Sequence, residues 1–414
     1  MTDGRFVATV SRFDPNLISA GSETVSLGVL TTSYPTQVGC GAGTFVRGFC
    51  GACGAVGLSV EVLCPEPALP GPLPVDPGVG VYPLAYFRPR RFQFLSAPPG
   101  APEALAGNPA LWVPAAAYAA RLTAAVLGRR RRFRALVSHW LVPCAASGAL
   151  GWSGSHLAIV HGSDLHLLER LGWGRALARW LVREGLRFAF VSTDLQRRFM
   201  ALLSPELIER LDGRTVVQPM GVNVATLGGG DRQAGRVRLG LRGPVALWLG
   251  RFNPLKRPAL ALALAEVMPE LTVVLAGAGP LEQALRRRAR PLGRRVRFCG
   301  WVNAAERREL LAAADVLLIT STTLADGRSE GAPVVAMEGL VAGLGVVATR
   351  VGGLVELGAR GELDLVSDGD VAGLAAACRA RLAVGRLPEN QRLELAREMD
   401  WQTVLPRLLK PIGL

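Results

Sequence analysis

Two carboxylates, Glu330 and Glu338, stand with seven residues between them in the stretch EGAPVVAME, where a loop runs into a helical pattern. Ionised carboxylates accept hydrogen bonds from O–H donors, so a pair spaced this way suits gripping the hydroxyls of a sugar nucleotide. Some 80 residues upstream, WLGRFNPLKRP sets Arg251 and Lys256 just after the apolar run 245–249. Two fixed cations at the mouth of a parallel sheet can neutralise a diphosphate. The amides of Gly331 and Ala332, ahead of the helix that carries Glu338, could add backbone donors to the same oxygens.

The first half of the chain offers weaker signals. SYPTQVGCGAGTFVRGF puts Gly39, Gly41 and Gly43 in a turn entering a helix, where glycine lets backbone amides approach a phosphate or sugar. The acidic residue that a dinucleotide fingerprint needs about 20 positions later is not matched cleanly, so Gly41 and Gly43 are read as lining an interdomain cleft near the donor. SHWLVP and VHGSDLH end two expected strands with His139 and His161, the position at which open α/β sheets place ligands. Either histidine alone could equally be a hydrogen-bonded structural residue.

The elements that must position these residues alternate. From Gly28 the chain reads strand, glycine loop, helix from Thr44, then strands at SVEVLC, VGVYPL, ALVSH, HLAIVH, RFAFVS and TVVQP, with helical stretches between. A second series runs through PVALWLG, LTVVLAG, RVRFCG, DVLLIT and LGVVAT. Both predict parallel sheets covered on both faces. At 414 residues the chain is long enough for two such lobes. The expected division is a loose extension over 1–26, an acceptor-side Rossmann-like domain over 27–221 and a Gly- and Arg-bearing linker over 222–243. A donor domain follows over 244–395, with a last segment over 396–414 whose helix packs back on the first domain.

Arg251, Lys256, Glu330, Glu338 and the following TRVGGLVE from Thr349 to Glu356 closely resemble the donor half of the retaining glycosyltransferases of family 4, the glycosyl transferases group 1. The resemblance implies an α/β GT-B fold, two Rossmann-like lobes facing across a cleft. It implies transfer of a hexose-type sugar from a nucleoside diphosphate, UDP before GDP, to a hydroxyl acceptor. By resemblance Glu330 meets the transferred sugar, Glu338 the ribose and His161 the reacting sugar, while Asp164 and His139 shape the acceptor side. Leaving-group charge then falls to Arg251 and Lys256. The leaving phosphate itself helps deprotonate the acceptor, with no glycosyl-enzyme bond to Glu330.

Asp368-Gly369-Asp370 has the acidic spacing of a cation site but precedes a helix and reads as an N-cap, so no metal and no cofactor are expected. Departures from the family pattern are Gly343-Leu344-Gly345 where a small-Pro turn is usual, and Arg257 where glycine is commoner, which would crowd the phosphate pocket. The loop 322–329 resembles members that build cell-surface polysaccharides. Two other readings stay open: a sugar-nucleotide 2-epimerase on the same fold, and a silent nucleotide-sugar-binding subunit.

The net charge of +14 admits anionic partners, but lysine occurs only at Lys256 and Lys410, and basic residues are not interleaved with aromatics, so nucleic acid is not expected. The run Arg129–Arg132 could meet an anionic membrane or a lipid-diphosphate acceptor, or be a solvated helix end. No basic start with an apolar core and cleavage site opens the chain, and a cytoplasmic location, peripheral at the inner membrane face, is expected. The uncharged tract 135–163 is interrupted by His139, Pro143, Gly151 and Gly154 and reads as strand, short helix, strand. Cys50 and Cys53 have the spacing of half a zinc knuckle yet fall on a helical apolar pattern, which favours core packing; Cys144, Cys299 and Cys378 are expected as buried thiols.

Overall fold

The computed structural model describes residues 26–35, 43–69, 71, 73–95, 104–105, 108–359, 361 and 363–414. The expected extension up to residue 25, together with Gly39, Cys40 and Gly41, lies outside them.

Seven strands form the first sheet: β1 (Ser26–Leu30), β2 (Ser59–Pro65), β3 (Val79–Leu84), β4 (Phe133–His139), β5 (Ser155–Val160), β6 (Arg187–Phe190) and β7 (Thr215–Val217). Six form the second: β8 (Val245–Leu249), β9 (Thr272–Ala276), β10 (Val296–Gly300), β11 (Val316–Ile319), β12 (Gly345–Thr349) and β13 (Asp364–Val366). The orders are β3-β2-β1-β4-β5-β6-β7 and β10-β9-β8-β11-β12-β13. All strand pairings are parallel. Runs such as VALWL of β8 are buried along their whole length because helices cover both faces. The chain is a two-lobed α/β protein with the GT-B architecture expected of it.

Sequence order reverses between β1 and β4 in one sheet and between β8 and β11 in the other. Connections leaving those strands run to opposite faces, and the carboxyl ends between them open as crevices. The loops carrying Arg251 and Lys256 leave β8; Ser321 follows β11; His139 ends β4; and Gly43 caps the helix Thr44–Ala55 that follows β1.

Residues 222–243, expected as a linker, are folded. They carry helices Val224–Leu227 and Arg232–Arg238, and Val222, Leu227 and Leu241 enter a core of the second lobe. Arg232 and Arg236 both reach Asp315, and a Cβ on Gly230 would come 2.6 Å from the Ala312 Cβ, so that glycine permits close packing. The chain crosses back at Asp400. Leu395, Ala396 and Met399 pack in the second lobe, whereas Trp401, Val404, Leu405, Leu408 and Leu409 join the first core. Trp401 lies edge-on to Phe49, with ring centroids 6.0 Å apart.

The tract 135–163 is β4, a short helix at Ala146–Gly151 and β5, as its interruptions predict. The described helix long and apolar enough to cross a membrane lies elsewhere, at Pro109–Arg129, and it covers the first sheet through Tyr118, Leu122 and Val126. Cys50 and Cys53 pack in the first core, and Cys144 and Cys378 are buried; Cys299, on the edge strand β10, is only partly so, unlike the expectation. Gly343, at φ 82°, ends the helix Val334–Val341 with the bonds Leu344 N–H to Gly339 O and Gly343 N–H to Leu340 O. The departure Gly343-Leu344-Gly345 is thus a glycine helix stop that feeds β12 directly.

Candidate active site

Lys256 Nζ lies 2.8 Å from Glu330 Oε1, and Ser321 Oγ donates to the same oxygen at 2.9 Å. The lysine is held by its backbone: Lys256 N donates to Asn253 Oδ1, and Thr320 Oγ1 donates to Lys256 O at 3.1 Å. Trp248 Nε1 in turn donates to Thr320 Oγ1 at 2.8 Å, tying β8 to β11 beneath the loop. Ammonium has three protons, so pairing with Glu330 leaves Lys256 donors for a phosphate. Arg251 stands exposed at the mouth of β8.

Arg257 has φ 46°, the left-handed region that glycine enters at no steric cost and that costs other residues roughly 1–2 kcal/mol. Its guanidinium pairs with Asp368, whose other oxygen accepts from Thr322 Oγ1. The expected crowding of the phosphate pocket therefore meets a side chain drawn towards 368–369. Asp370 caps Val371–Val384 by accepting from Gly373 N at 2.8 Å, as its position before a helix predicts.

Glu338 sits on the first turns of the helix Val334–Val341 and pairs with Arg307 at 2.7 Å. Sequence reasoning missed Arg307, because it lies on another helix, Ala304–Ala313, and nothing local marks one arginine among many. It missed Ser321 and Asn253 too, although small polar residues after apolar strands are a usable signal for crevice groups.

The lobes meet beside this cluster. A Cβ on Gly331 would lie 2.3 Å from His161 O, and one on Gly353 would lie 1.8 Å from Gly331 O and 3.2 Å from Ser192 Cβ. Glu356 Oε1 accepts from Asp194 N at 3.0 Å across the seam. The loop 322–329 also reaches over: Asp326 lies 3.5 Å from Arg170 and 3.9 Å from His166 of the first lobe. The structure thus brings His161 against the loop that carries Glu330, Gly331 and Ala332.

In the first lobe His139 and Asp164 are buried and His161 is half-buried. Asp164 accepts from Leu141 N at 3.0 Å, His161 N at 3.1 Å and Gly162 N at 2.9 Å. Burial raises its pKa, opposed by those backbone donors. Its oxygens fix the turn containing Gly162, φ 110°, so Asp164 acts on the backbone of His161. His139 Nδ1 lies 3.0 Å from His161 Nε2. Burial pulls His161 down to about 3 and His139 well below the ordinary histidine value, the neighbouring His161 adding to the latter. Gly43 has φ 71°, and a Cβ there would strike Ser33 O at 2.1 Å, so only glycine fits that turn. Gly41 lies outside the described residues.

The basic run is partly structural: Arg132 lies 2.8 Å and Arg129 3.6 Å from the buried Glu61 of β2, and Arg129 stacks on Tyr82. Among the described residues no cluster of three or more His, Cys, Asp or Glu could hold a metal ion.

Residues 243–383 match the family model described as glycosyl transferases group 1. Over 410 residues the chain is 30% identical to glycogen synthase of Mycobacterium tuberculosis, covering 91% of each. It is 31% identical to phosphatidyl-myo-inositol mannosyltransferase of Mycobacterium leprae over 53% of this chain and 56% of that one. Among solved structures, sucrose-phosphate synthase from Thermosynechococcus elongatus aligns at a TM-score of 0.69 and 18% identity, over 92% of this chain and 96% of that one. Anabaena HepE in complex with UDP and glucose aligns at 0.67 and 18%, over 94% and 100%. These last two likenesses concern the fold.

Proposed function

Because the chain belongs to the glycosyl transferases group 1, and is a glycosyltransferase of GT-B type, we propose that it moves a hexose from a UDP-sugar to a hydroxyl with retention of anomeric configuration and no required metal. The observation that carries this reading is the Lys256–Glu330 pair, 2.8 Å long, at the crevice between β8 and β11 and beside the His161 seam. A diphosphate laid there is met by Lys256 and Arg251, and its growing charge is stabilised as the anomeric bond breaks. Glu330 holds the sugar's hydroxyls and Glu338 the ribose. Both carboxylates are already oriented by cations, so little reorganisation is needed on binding.

The acceptor in this reading is a lipid-linked hydroxyl at an anionic bilayer. In its support, the outer face of the helix Trp112–Arg129 exposes Trp112, Val113 and Leu127. No acidic residue occurs over 104–132, and Arg130 and Arg131 are exposed at the helix end. Each basic residue near such a surface contributes about 1 kcal/mol. Flotation with phosphatidylglycerol vesicles should capture the protein at low salt and release it when Val113 and Leu127 are both changed to Asp; equal capture of that variant refutes the contact.

The donor assignment is tested by thermal shift with UDP, GDP, ADP and TDP, each with magnesium and with EDTA, since a ligand of the folded state raises its stability. A shift with UDP that survives EDTA is expected. A shift that disappears in EDTA overturns metal independence, and none with any nucleotide overturns donor binding. Retention is read from the anomeric coupling constant of the product.

A further inference from the structure

Between His139 and His161 one proton bridges two rings. Their planes are 11° apart and their centroids 5.2 Å, with His139 Nδ1 and His161 Nε2 at 3.0 Å. Either ring could donate, and the choice decides what His161 shows to the cleft. The other nitrogen of His139, Nε2, is buried without a hydrogen-bond partner. Around it pack Phe45, Phe49 and Trp140, with ring centroids 6.2, 5.3 and 6.1 Å from that of His139.

If His161 donated, the single proton of neutral His139 would sit on Nε2, an N–H with no acceptor. Orphaned buried N–H groups are rarer than underused acceptors, so the proton belongs on His139 Nδ1. His161 then accepts at Nε2 and carries its own proton on Nδ1, on a ring that is only partly buried at the seam with Gly331. Burial keeps both rings neutral near pH 7, so the arrangement holds there.

We propose that His139 is a positioning residue that donates Nδ1–H to His161 Nε2 and thereby presents His161 to the bound sugar as an Nδ1–H hydrogen-bond donor. The assignment of the sugar as recipient rests on the glycosyl-transfer reading; the tautomer does not. An oxygen of a sugar hydroxyl would accept from Nδ1–H, which fixes the sugar's rotation in the cleft without any change of charge on the protein.

Long-range proton–nitrogen correlation spectra of the full-length protein labelled with 15N-histidine, recorded at pH 7 without ligand, read the tautomers directly. Protonated Nδ1 on both His139 and His161 is expected; protonated Nε2 on His161 overturns the proposal. Because this needs no turnover, its failure is distinguishable from failure of the transfer reading. Asn at 139 keeps an amide donor near the Nδ1 position, and Leu removes it. His139→Leu should lower kcat about tenfold, the scale of one misdirected hydrogen bond, with KM for the donor nearly unchanged and His161 spread over both tautomers. His139→Asn should restore much of kcat and the single tautomer. Equal kcat in the two variants, with His161 in the same tautomer in both, would show that His139 only fills space.

Discussion

In the second lobe the candidate groups meet as charges: Lys256 with Glu330 at 2.8 Å, Arg307 with Glu338 at 2.7 Å. In the first lobe they meet as buried, mostly neutral partners: His139 with His161, and Asp164 with three backbone amides. The charged pairs keep spare donors and lone pairs, so a ligand can join them. Asp164 has little left to offer, because its lone pairs are spent on holding a turn. In the transfer reading the lobes therefore divide the work: one would bind through exchangeable electrostatics, the other would supply a fixed wall for the reacting sugar.

The largest expected effect breaks the charged side at its centre. Glu330→Ala should lower transfer by about 10²–10³-fold, the scale seen when one preorganised polar group is lost from an active site, while circular dichroism and the melting temperature change little. Activity like the wild type would remove Glu330 from the site. Next comes Lys256→Ala, which should weaken UDP binding by about 1.5–3 kcal/mol, the worth of a hydrogen bond to a charged group, and leave uridine binding nearly unchanged. Equal losses for UDP and uridine, measured by calorimetry, would refute the phosphate role.

The same contrast explains what the sequence made legible. Arg251 and Lys256 stand out because they follow a buried strand, and Glu330 and Glu338 because they bracket the start of a helix, and such positions are readable from apolar runs. The two parallel sheets follow too, since strands alternating with helices leave few other arrangements, but their strand orders were not read from the sequence. Arg307 was hidden because its partner is 31 residues away and its helix has no local reason to face Glu338. The fold of 222–243 was hidden because Gly228-Gly229-Gly230 reads as chain flexibility, whereas Gly230 makes room for Ala312. That Asp164 would spend its oxygens on the backbone could not be read either, since burial of a carboxylate is a tertiary property.

A sharper test of the buried side is pH. His156, whose Nε2 is 2.7 Å from Ser138 Oγ, and His161 are both pulled down to about 3 by burial. In each case the unfolded chain binds a proton at the ordinary histidine value and the folded chain does not. Stability is then fully present above that value and is lost as pH falls through the interval towards 3. At pH 5 the loss is about 2 kcal/mol for the buried His156 and less for the half-buried His161, since one pKa unit is worth about 1.4 kcal/mol. Urea unfolding at pH 7 and pH 5 measures it. His156→Gln keeps a partner for Ser138 and removes one titrating ring, so the difference between the two pH values should shrink by about 2 kcal/mol. An undiminished difference would mean that His156 is not buried as a neutral ring.

The smallest effect concerns a group that touches no ligand in this reading. Arg307 is half-buried beside Glu338, and its removal leaves that carboxylate free to turn rather than absent. A partly exposed pair of this kind contributes up to about 1 kcal/mol, so Arg307→Ala should raise the Kd for UDP by no more than about fivefold. If Glu338 holds the ribose, the loss should fall on UDP and uridine alike, the opposite of the Lys256 pattern, and an analogue lacking both ribose hydroxyls should be indifferent to the substitution. Arg307→Lys keeps the charge but not the planar fork, and should fall between the two. Were Arg307→Ala to weaken UDP while sparing uridine, Arg307 would belong with the phosphate cations, and the charged half of the cleft would extend one helix further than Glu338.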